Sequence, residues 1–542
     1  MKGILWQLPG GKPGWSEESV VIPSAGSGEV ARYAAQEGHE VYIADLNCAR
    51  GELHQRIEEA LELFSERTSQ KRPDFSMLTG MTCKADNNAE FANYLKERFE
   101  DSPIIMGGTH VSGIRAGMQM AEEREIEDGG LDLALSKLEE ARVDYLYSGE
   151  AINVGNLLSA ISGDASRNDL REIEGISYRE EGRWIHNQRH LDSTLELGEE
   201  ALKESPVWEN YLFGFDKTHL WGMGPAFPFR ITKGCNMNCP FCSAMAVNPD
   251  EGFKRHIPYT PLDLEHSLEE FGKLLKMGAN LIFSTDENPL QQYKGRSPGR
   301  EFLEEIIDRG WNKEVKLGMM TSAEATADPR NVELMKEANV IMAQVGYESL
   351  TDPKNLGKRR VDMDISYQSI QNLRKGGIMN FDAAIVGGFG DDRESIRREL
   401  NLRADLGLAV TLVQPLQPYF GTRTRIEAIE KGLIRNDGRE DNGLGGFGGM
   451  HGEMIASLAT EKGLEPIDVT EAIVSAQRRN ASRVATNLLR SNYMRHIRGH
   501  LLERAIGGIP TIPKRILESG LSDREIAKRK IERAIEYNRL EF

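Results

Sequence analysis

The sequence predicts an α/β protein in three parts: an N-terminal doubly wound (Rossmann-like) domain, a partial (β/α)6 barrel, and a helical C-terminal domain. Three observations predict it. Short apolar, β-branched runs alternate with amphipathic stretches through the first 165 residues. Six further strand–helix repeats run from Phe227 to about Gly432. A glycine tract, Asn442 to Gly449, then gives way to helical pattern alone. The implied boundaries are 1–165 for the first domain, 166–222 for a connecting segment, 223–440 for the barrel and 441–542 for the last domain. A chain of 542 residues is too long for one core.

In the first domain the strand-like runs are Gly3–Leu8, Glu40–Asp45, Phe75–Thr79, Pro103–Met106 and Asp144–Tyr147. Helical patterns lie between them at Gly28–Gln36, Glu52–Arg67, Asn88–Arg98 and Leu131–Ala141. That alternation favours a parallel sheet with ligands at its carboxyl ends. The connecting segment holds a hairpin at Gly175–Ile185, turning around Glu180-Glu-Gly-Arg183, and an aromatic group (Trp208, Tyr211, Phe213, Phe215, Trp221) that marks a packed linker. The barrel strands are Phe227–Thr232, Asn280–Thr285, Val315–Thr321, Val340–Tyr347, Phe381–Gly387 and Ala409–Leu416. Helix Pro261–Gly278 takes Thr260 as its cap and Pro261 as its first residue, and another helix spans Asp392–Leu406. A long arginine-bearing helix, Val469–Ala505, reads as a packing helix with a solvated face.

Composition narrows the function. A net charge of −17 and a pI near 5.3 argue against nucleic acid as the main partner. No apolar run reaches the roughly 18 residues needed to span a bilayer, and the N-terminus lacks a signal pattern, so a cytoplasmic protein is expected. Five cysteines, three of them within eight positions, do not make a disulfide scaffold.

Those three are Cys235, Cys239 and Cys242, in Lys233-Gly-Cys-Asn-Met-Asn-Cys-Pro-Phe-Cys242, directly after the first barrel strand. Structural zinc prefers four ligands, and no fourth Cys or His follows at finger-like spacing. A 4Fe–4S cluster on three thiolates leaves one iron open to a small molecule. The C-x3-C-x2-C spacing resembles the signature of the radical S-adenosylmethionine (SAM) superfamily, with Phe241 at its usual aromatic position. The resemblance extends along the barrel. Ser284-Thr-Asp-Glu-Asn288 is similar to the strand-end run of cobalamin-linked members, and Gly346-Tyr-Glu-Ser349 to the family's Gly-x-Glu-Ser. Pro418-Tyr-Phe-Gly-Thr422 differs from the family's Pro-Tyr-Pro-Gly-Thr at Phe420. It implies SAM contacts from Phe241, Asp286, Glu287, Glu348 and Ser349.

For the first domain two readings compete. Gly26-Ser-Gly-Glu-Val-Ala31 with Asp45 is a loose dinucleotide fingerprint, but a long segment with Pro9, Pro13 and Pro23 separates it from the first strand. Gly38 to Asp45, Gly107-Gly-Thr-His110 and Val143 to Glu150 resemble instead the cobalamin-binding domain of class B radical SAM methyltransferases. That resemblance implies cobalamin contacts from Asp45, Thr82, Cys83, Gly107, Gly108, His110, Gly149 and Glu150. Asn47 stands where methionine synthase-like domains carry a cobalt-ligating histidine, which implies a weak or absent protein ligand to cobalt. Cys48 and Cys83 follow strand ends; a thiolate ligand to cobalt is one reading, and a small, half-buried, inert thiol is the plainer one.

The resemblance therefore implies three cofactors: a 4Fe–4S cluster, SAM and cobalamin. It implies a C-methyltransferase acting on an unactivated carbon, through hydrogen abstraction by a 5′-deoxyadenosyl radical and methyl transfer from methylcobalamin. The same cofactors used for cyclisation, ring rearrangement or another radical redox step form the alternative, and a non-catalytic corrinoid- or dinucleotide-binding protein with a structural cluster a third. Expected partners are a small-molecule or peptide substrate and an electron donor such as flavodoxin or ferredoxin, with no nucleic acid.

Overall fold

The computed structural model describes residues 1–9, 20–49, 51–79, 85–163, 170–188, 202–203, 205–220, 223–235, 237–244, 259–357, 362–408, 410–435, 458–490 and 521–529. Thr82, Cys83 and the glycine tract from Asn442 lie outside these residues, as does the predicted helix beyond Arg490.

The first half runs β1 (Lys2–Gln7), α1 (Ala25–Gln36), β2 (Glu40–Asp45), α2 (Leu53–Thr68), β3 (Phe75–Thr79), α3 (Ala85–Arg98), β4 (Ile104–Gly107), α4 (Thr109–Arg124), α5 (Gly129–Glu140), β5 (Tyr145–Tyr147), α6 (Val154–Ser162), β6 (Ile176–Glu180) and β7 (Arg183–His186). The strands form one sheet in the order β2-β1-β3-β4-β5-β6-β7. The first five are parallel and nearly continuous in apolar residues, because helices cover both faces. The hairpin β6–β7 is antiparallel and pairs directly with β5, so it extends this sheet and does not stand apart in the connecting segment. The helix Thr109–Arg124 was not expected from the sequence. Its glycines at 113 and 117 depress helix propensity, and packing supplies what propensity lacks.

The second half runs β8 (Ala226–Phe229), β9 (Thr232–Lys233), β10 (Thr260–Pro261), α7 (Leu264–Lys276), β11 (Leu281–Ser284), α8 (Pro298–Asp308), β12 (Lys316–Thr321), α9 (Ala323–Ala327), α10 (Pro329–Glu337), β13 (Val340–Glu348), α11 (Met363–Gly376), β14 (Met379–Val386), α12 (Arg393–Asp405), β15 (Val410–Pro415), α13 (Arg423–Glu430) and α14 (Pro466–Arg490). The six long strands are all parallel, in sequential order β8-β11-β12-β13-β14-β15. This is the open six-strand arrangement read from the repeats. Pro228 is tolerated because β8 is an edge strand.

One predicted helix start moves. Thr260 and Pro261 pair with β9 in a short antiparallel ribbon, so α7 begins later, on an Asp263 cap that accepts from the His266 amide at 2.8 Å. The ladder takes the two residues that the cap-and-proline pattern assigned to the helix.

Apolar packing joins the halves. Trp208 and Phe215 of the connecting segment meet Phe227 of β8 edge-on, and Tyr211 packs on both of them, with ring centroids 5.1 to 5.8 Å apart. The Leu212 amide donates to the Ile43 carbonyl at 2.9 Å, so the same segment shields the open edge of β2. At the other end, α14 lies on α12 through Ile396, Leu400, Val469, Ala472 and Ile473. Its Arg483 pairs outward with Asp405 at 2.9 Å, and Arg393 of α12 pairs with Asp468 and Glu471, as a solvated charged face predicts.

Candidate functional site: a cysteine loop facing a glycine-lined sheet edge

The cysteine loop leaves β8 through Ile231 and Thr232, and one carboxylate anchors it. Asp286 Oδ1 accepts from the Ile231 amide (2.9 Å), the Thr232 amide (2.5 Å) and Thr232 Oγ1 (2.7 Å), while Oδ2 accepts from Ser284 Oγ at 2.6 Å. Asp286 is 0 % exposed. Burial pushes its carboxyl up to about 6, against the pull of those donors. The sequence expectation places Asp286 on SAM, whereas its oxygens are taken up in tying the ends of β8 and β11 together.

Farther along, Arg423 Nη2 donates to the Asn238 carbonyl (2.7 Å) and Asn238 Oδ1 (2.8 Å), and the Thr424 amide donates to the Pro240 carbonyl at 3.1 Å. The N-terminus of α13 therefore grips the loop between its cysteines. Thr422 of the Pro-Tyr-Phe-Gly-Thr run caps that helix. Cys235 Sγ accepts from the Met237 amide at 3.3 Å, and all three cysteines are half-buried. Burial, with Cys239, Cys235 and Glu287 close by, pushes the Cys242 thiol up to about 12. Three sulfurs crowded this way become thiolates together only beside a strong cation, which is the donor chemistry of an iron–sulfur cluster. Among the described residues no three His, Cys, Asp or Glu side chains close round a single ion. Phe241 lies against the apolar group of Leu356, Phe389 and Leu416 at the rim of the loop.

Glu348 ends β13 with φ +50°, and a Cβ at Gly346 would strike its Oε1, so the glycine is what lets this carboxylate fold back. Arg403 Nη2 donates to the Glu348 carbonyl at 3.0 Å. Arg403 itself is buried between Asp382 and Glu399. Glu399 accepts from Ser349 Oγ (3.1 Å) and from the Leu350 and Thr351 amides (2.8 and 2.9 Å). Ser349 thus shapes the turn. The Asp382–Arg403–Glu399 group was not singled out from the sequence; its only signal was charge on otherwise apolar helix and strand faces.

On the first sheet, Gly107 ends β4 and Gly108 follows it, while Gly149 and Glu150 follow the carboxyl end of β5. Gly108 (φ +96°) and Gly149 (φ +107°) adopt backbone that other residues resist. The Gly149 amide donates to Ser112 Oγ at 3.1 Å. His110 is buried within the first turn of α4. Asp45 is buried at the end of β2, where its Oδ1 accepts from the Asn47 amide (3.1 Å) and Asn47 Nδ2 (2.7 Å), so Asn47 is drawn back onto the strand end. Cys48 is buried and its thiol is pushed far up by that burial, as an inert cysteine should be.

The two edges meet. Lys233, beside the cysteine loop, lies 3.5 Å from Glu150 of the first sheet, their side chains 7 % and 25 % exposed. Arg425 of α13 forms two 2.5 Å bonds to Asp128, which caps α5, and lies over the Phe420 ring at 4.2 Å. Phe420 in turn packs on α4, where a Cβ at Gly117 would lie 3.4 Å from its Cβ.

Comparison with known proteins agrees with this arrangement. The sequence profile of the radical SAM superfamily matches residues 229–402. The bacteriochlorophyllide d C-8(2)-methyltransferase of Chlorobaculum tepidum is 24% identical over 217 residues, which span 39% of this chain and 46% of that protein, so the match covers about half the relative's length. The structure of the radical SAM methyltransferase TsrM from Kitasatospora setae with cobalamin and a [4Fe-4S] cluster superposes with a TM-score of 0.60 at 16% identity, covering 81% of this chain and 79% of that one. The same enzyme with tryptophan substrate and aza-SAM gives 0.58 at 16% identity, over 80% and 77% of the two chains. At such identities the likeness is one of fold, and it takes in both sheets. Residues 229–402 of this chain are a radical SAM domain.

Proposed function

We propose that this chain is a cobalamin-dependent radical SAM methyltransferase that methylates an unactivated carbon of a small-molecule or peptide substrate. One observation carries the reading: a loop of three half-buried cysteines faces the glycine-lined carboxyl edge of a second, parallel sheet, with Lys233 and Glu150 joining them. The relatives named above, a methyltransferase by sequence and a cobalamin- and cluster-bound methyltransferase by fold, support it.

When bound, a 4Fe–4S cluster with SAM would supply one-electron cleavage chemistry, and cobalamin a methyl group. The chain's own part is placement. Cys235, Cys239 and Cys242 give three thiolates and leave a fourth position open. Glu287, close enough to Cys242 to raise its thiol, is placed to accept from an ammonium group. Glu348, turned back at the end of β13, is placed to accept from ribose hydroxyls or that ammonium, and Phe241 to line the rim. Asp286 and Ser349 serve the same site by fixing its loops. Gly107, Gly108 and Gly149 leave room for a macrocycle to approach the backbone. Asp45, His110, Glu150, Thr82 and Cys83 complete the proposed corrin side. The domain limits (with the first domain extended to take in the hairpin), a reducing cytoplasm and a flavodoxin- or ferredoxin-like donor belong to the same proposal.

Anaerobic reconstitution with iron, sulfide and hydroxocobalamin tests it. Expected are one cluster per chain, one corrinoid per chain, and 5′-deoxyadenosine formed from SAM and abolished by Cys239→Ala. With methyl-labelled SAM, label enters the product. Zinc in place of inorganic sulfide would overturn the radical reading. Product formed without label would leave a non-methylating radical reaction in its stead.

A further inference from the structure

We infer that Asn88 binds a carboxamide side arm of the corrin, an inference that rests on the corrinoid reading above. Asn88 lies in the first turn of α3, just past the loop that leaves β3. In the order β2-β1-β3-β4-β5 the winding reverses between β1 and β3. Ligands of such sheets bind in the crevice at that reversal, outside the carboxyl ends of the strands. Asn88 therefore belongs to the element that borders the crevice. It shares the sheet-facing stripe of α3 with Phe91, whose ring meets Trp6 of β1 edge-on at 5.4 Å.

The side chain is 0 % exposed, and neither Oδ1 nor Nδ2 has a hydrogen-bond partner. Among the described residues no other side chain leaves both ends of a buried amide unpaired; Asn288, Asn312 and Asn380 each leave one oxygen. Folded interiors satisfy nearly all such groups, because an amide stripped of water and left unpaired destabilises the fold. The fold tolerates that loss where a ligand restores the bonds.

The ligand chemistry follows from which atoms are unpaired. A partner must offer an acceptor to Nδ2 and a donor to Oδ1 at one place. Phosphate and carboxylate offer acceptors alone, and an ammonium offers donors alone. A primary carboxamide offers both, and two such groups meet through a pair of antiparallel N–H···O bonds. The rim of a corrin carries several acetamide and propionamide arms, and a porphyrin-type acid rim carries none. No local pattern hints at this, since an asparagine early in a helix reads as a cap.

The test compares full-length wild type with Asn88→Leu and Asn88→Ala, titrated with hydroxocobalamin and with a cobyrinic acid heptamethyl ester, whose arms accept but cannot donate. Thermal melting without corrinoid is measured alongside. Expected is a loss of affinity for hydroxocobalamin of about tenfold in both variants, with a clearly smaller loss for the ester, which can keep only the bond from Nδ2. Asn88→Leu should also melt higher than wild type without corrinoid, since it removes the unpaired amide. Unchanged affinity for hydroxocobalamin in the variants overturns the inference and leaves the corrinoid reading standing. So does a lower melting temperature of Asn88→Leu, which would mean that the amide is already paired. If wild type binds neither corrinoid, the reading itself fails and the inference falls with it.

Discussion

A single carboxylate shows how one residue sets up this site. Asp286 collects three donors from the strand that launches the cysteine loop and a fourth from Ser284. Its folded-state value, about 6, lies above the ordinary 3.8, so the folded chain holds that proton more tightly than the unfolded one. The resulting stability is fully present below about pH 4 and is lost as pH rises through about 6, a change of at most about 3 kcal/mol. Asp286→Asn keeps the same acceptor on one side and offers Ser284 a donor on the other. We expect it to abolish this slope in denaturant titrations between pH 4 and 7 while cluster content and SAM affinity stay unchanged. A loss of SAM affinity would instead place the carboxylate on the cofactor. Arg403 is the second case, since removing it leaves Asp382 and Glu399 buried without a cation. Arg403→Met should cost about 3–5 kcal/mol in urea unfolding. The sequence singled out the Asp-Glu-Asn and Gly-Tyr-Glu-Ser runs as candidate site residues. That Asp286 and Ser349 work on loops was not legible there, because hydrogen-bond partners 50 or more positions away in the chain are invisible to a local pattern.

At the scale of elements, α13 matters more than its eight residues suggest. Its cap, Thr422, accepts from the Arg425 amide at 3.3 Å and donates to the Tyr419 carbonyl at 2.6 Å, which aims Arg423 at the cysteine loop. Thr422→Ala should cost about 1 kcal/mol. Iron should also leave the reconstituted protein faster under a chelator, because Asn238 loses its fixed partner. Equal chelation rates would show that the loop holds itself. The elements read correctly from the sequence, such as the six parallel barrel strands, carry dense apolar runs that fit a buried parallel sheet. Those read wrongly were settled by neighbours. The β9–β10 ribbon took Thr260 and Pro261 from a helix, and α4 formed in spite of two glycines because small residues there admit Phe420.

For the whole molecule, the decisive feature is that two sheets from opposite halves of the chain present their carboxyl edges to each other. Asp128 and Arg425 are 297 positions apart, and their paired bonds are largely buried. Asp128→Ala leaves that guanidinium without its carboxylate and removes the cap of α5. In calorimetry we expect the single cooperative melt to separate into two transitions, with the barrel's the less affected; one unsplit transition would mean that apolar packing alone couples the halves. No helix among the described residues is long and apolar enough to cross a membrane. The sequence by itself determined the α/β class, the long parallel strands of both sheets, and the three thiolates that point to an iron–sulfur centre. Each of these is written in neighbouring residues, as periodicity or as spacing. Tertiary structure alone decided that the hairpin joins the first sheet, that Lys233 reaches Glu150, and that Asn88 is sealed in with its amide unpaired. Those outcomes depend on which distant surfaces exclude water from one another, and no local stretch of chain encodes that.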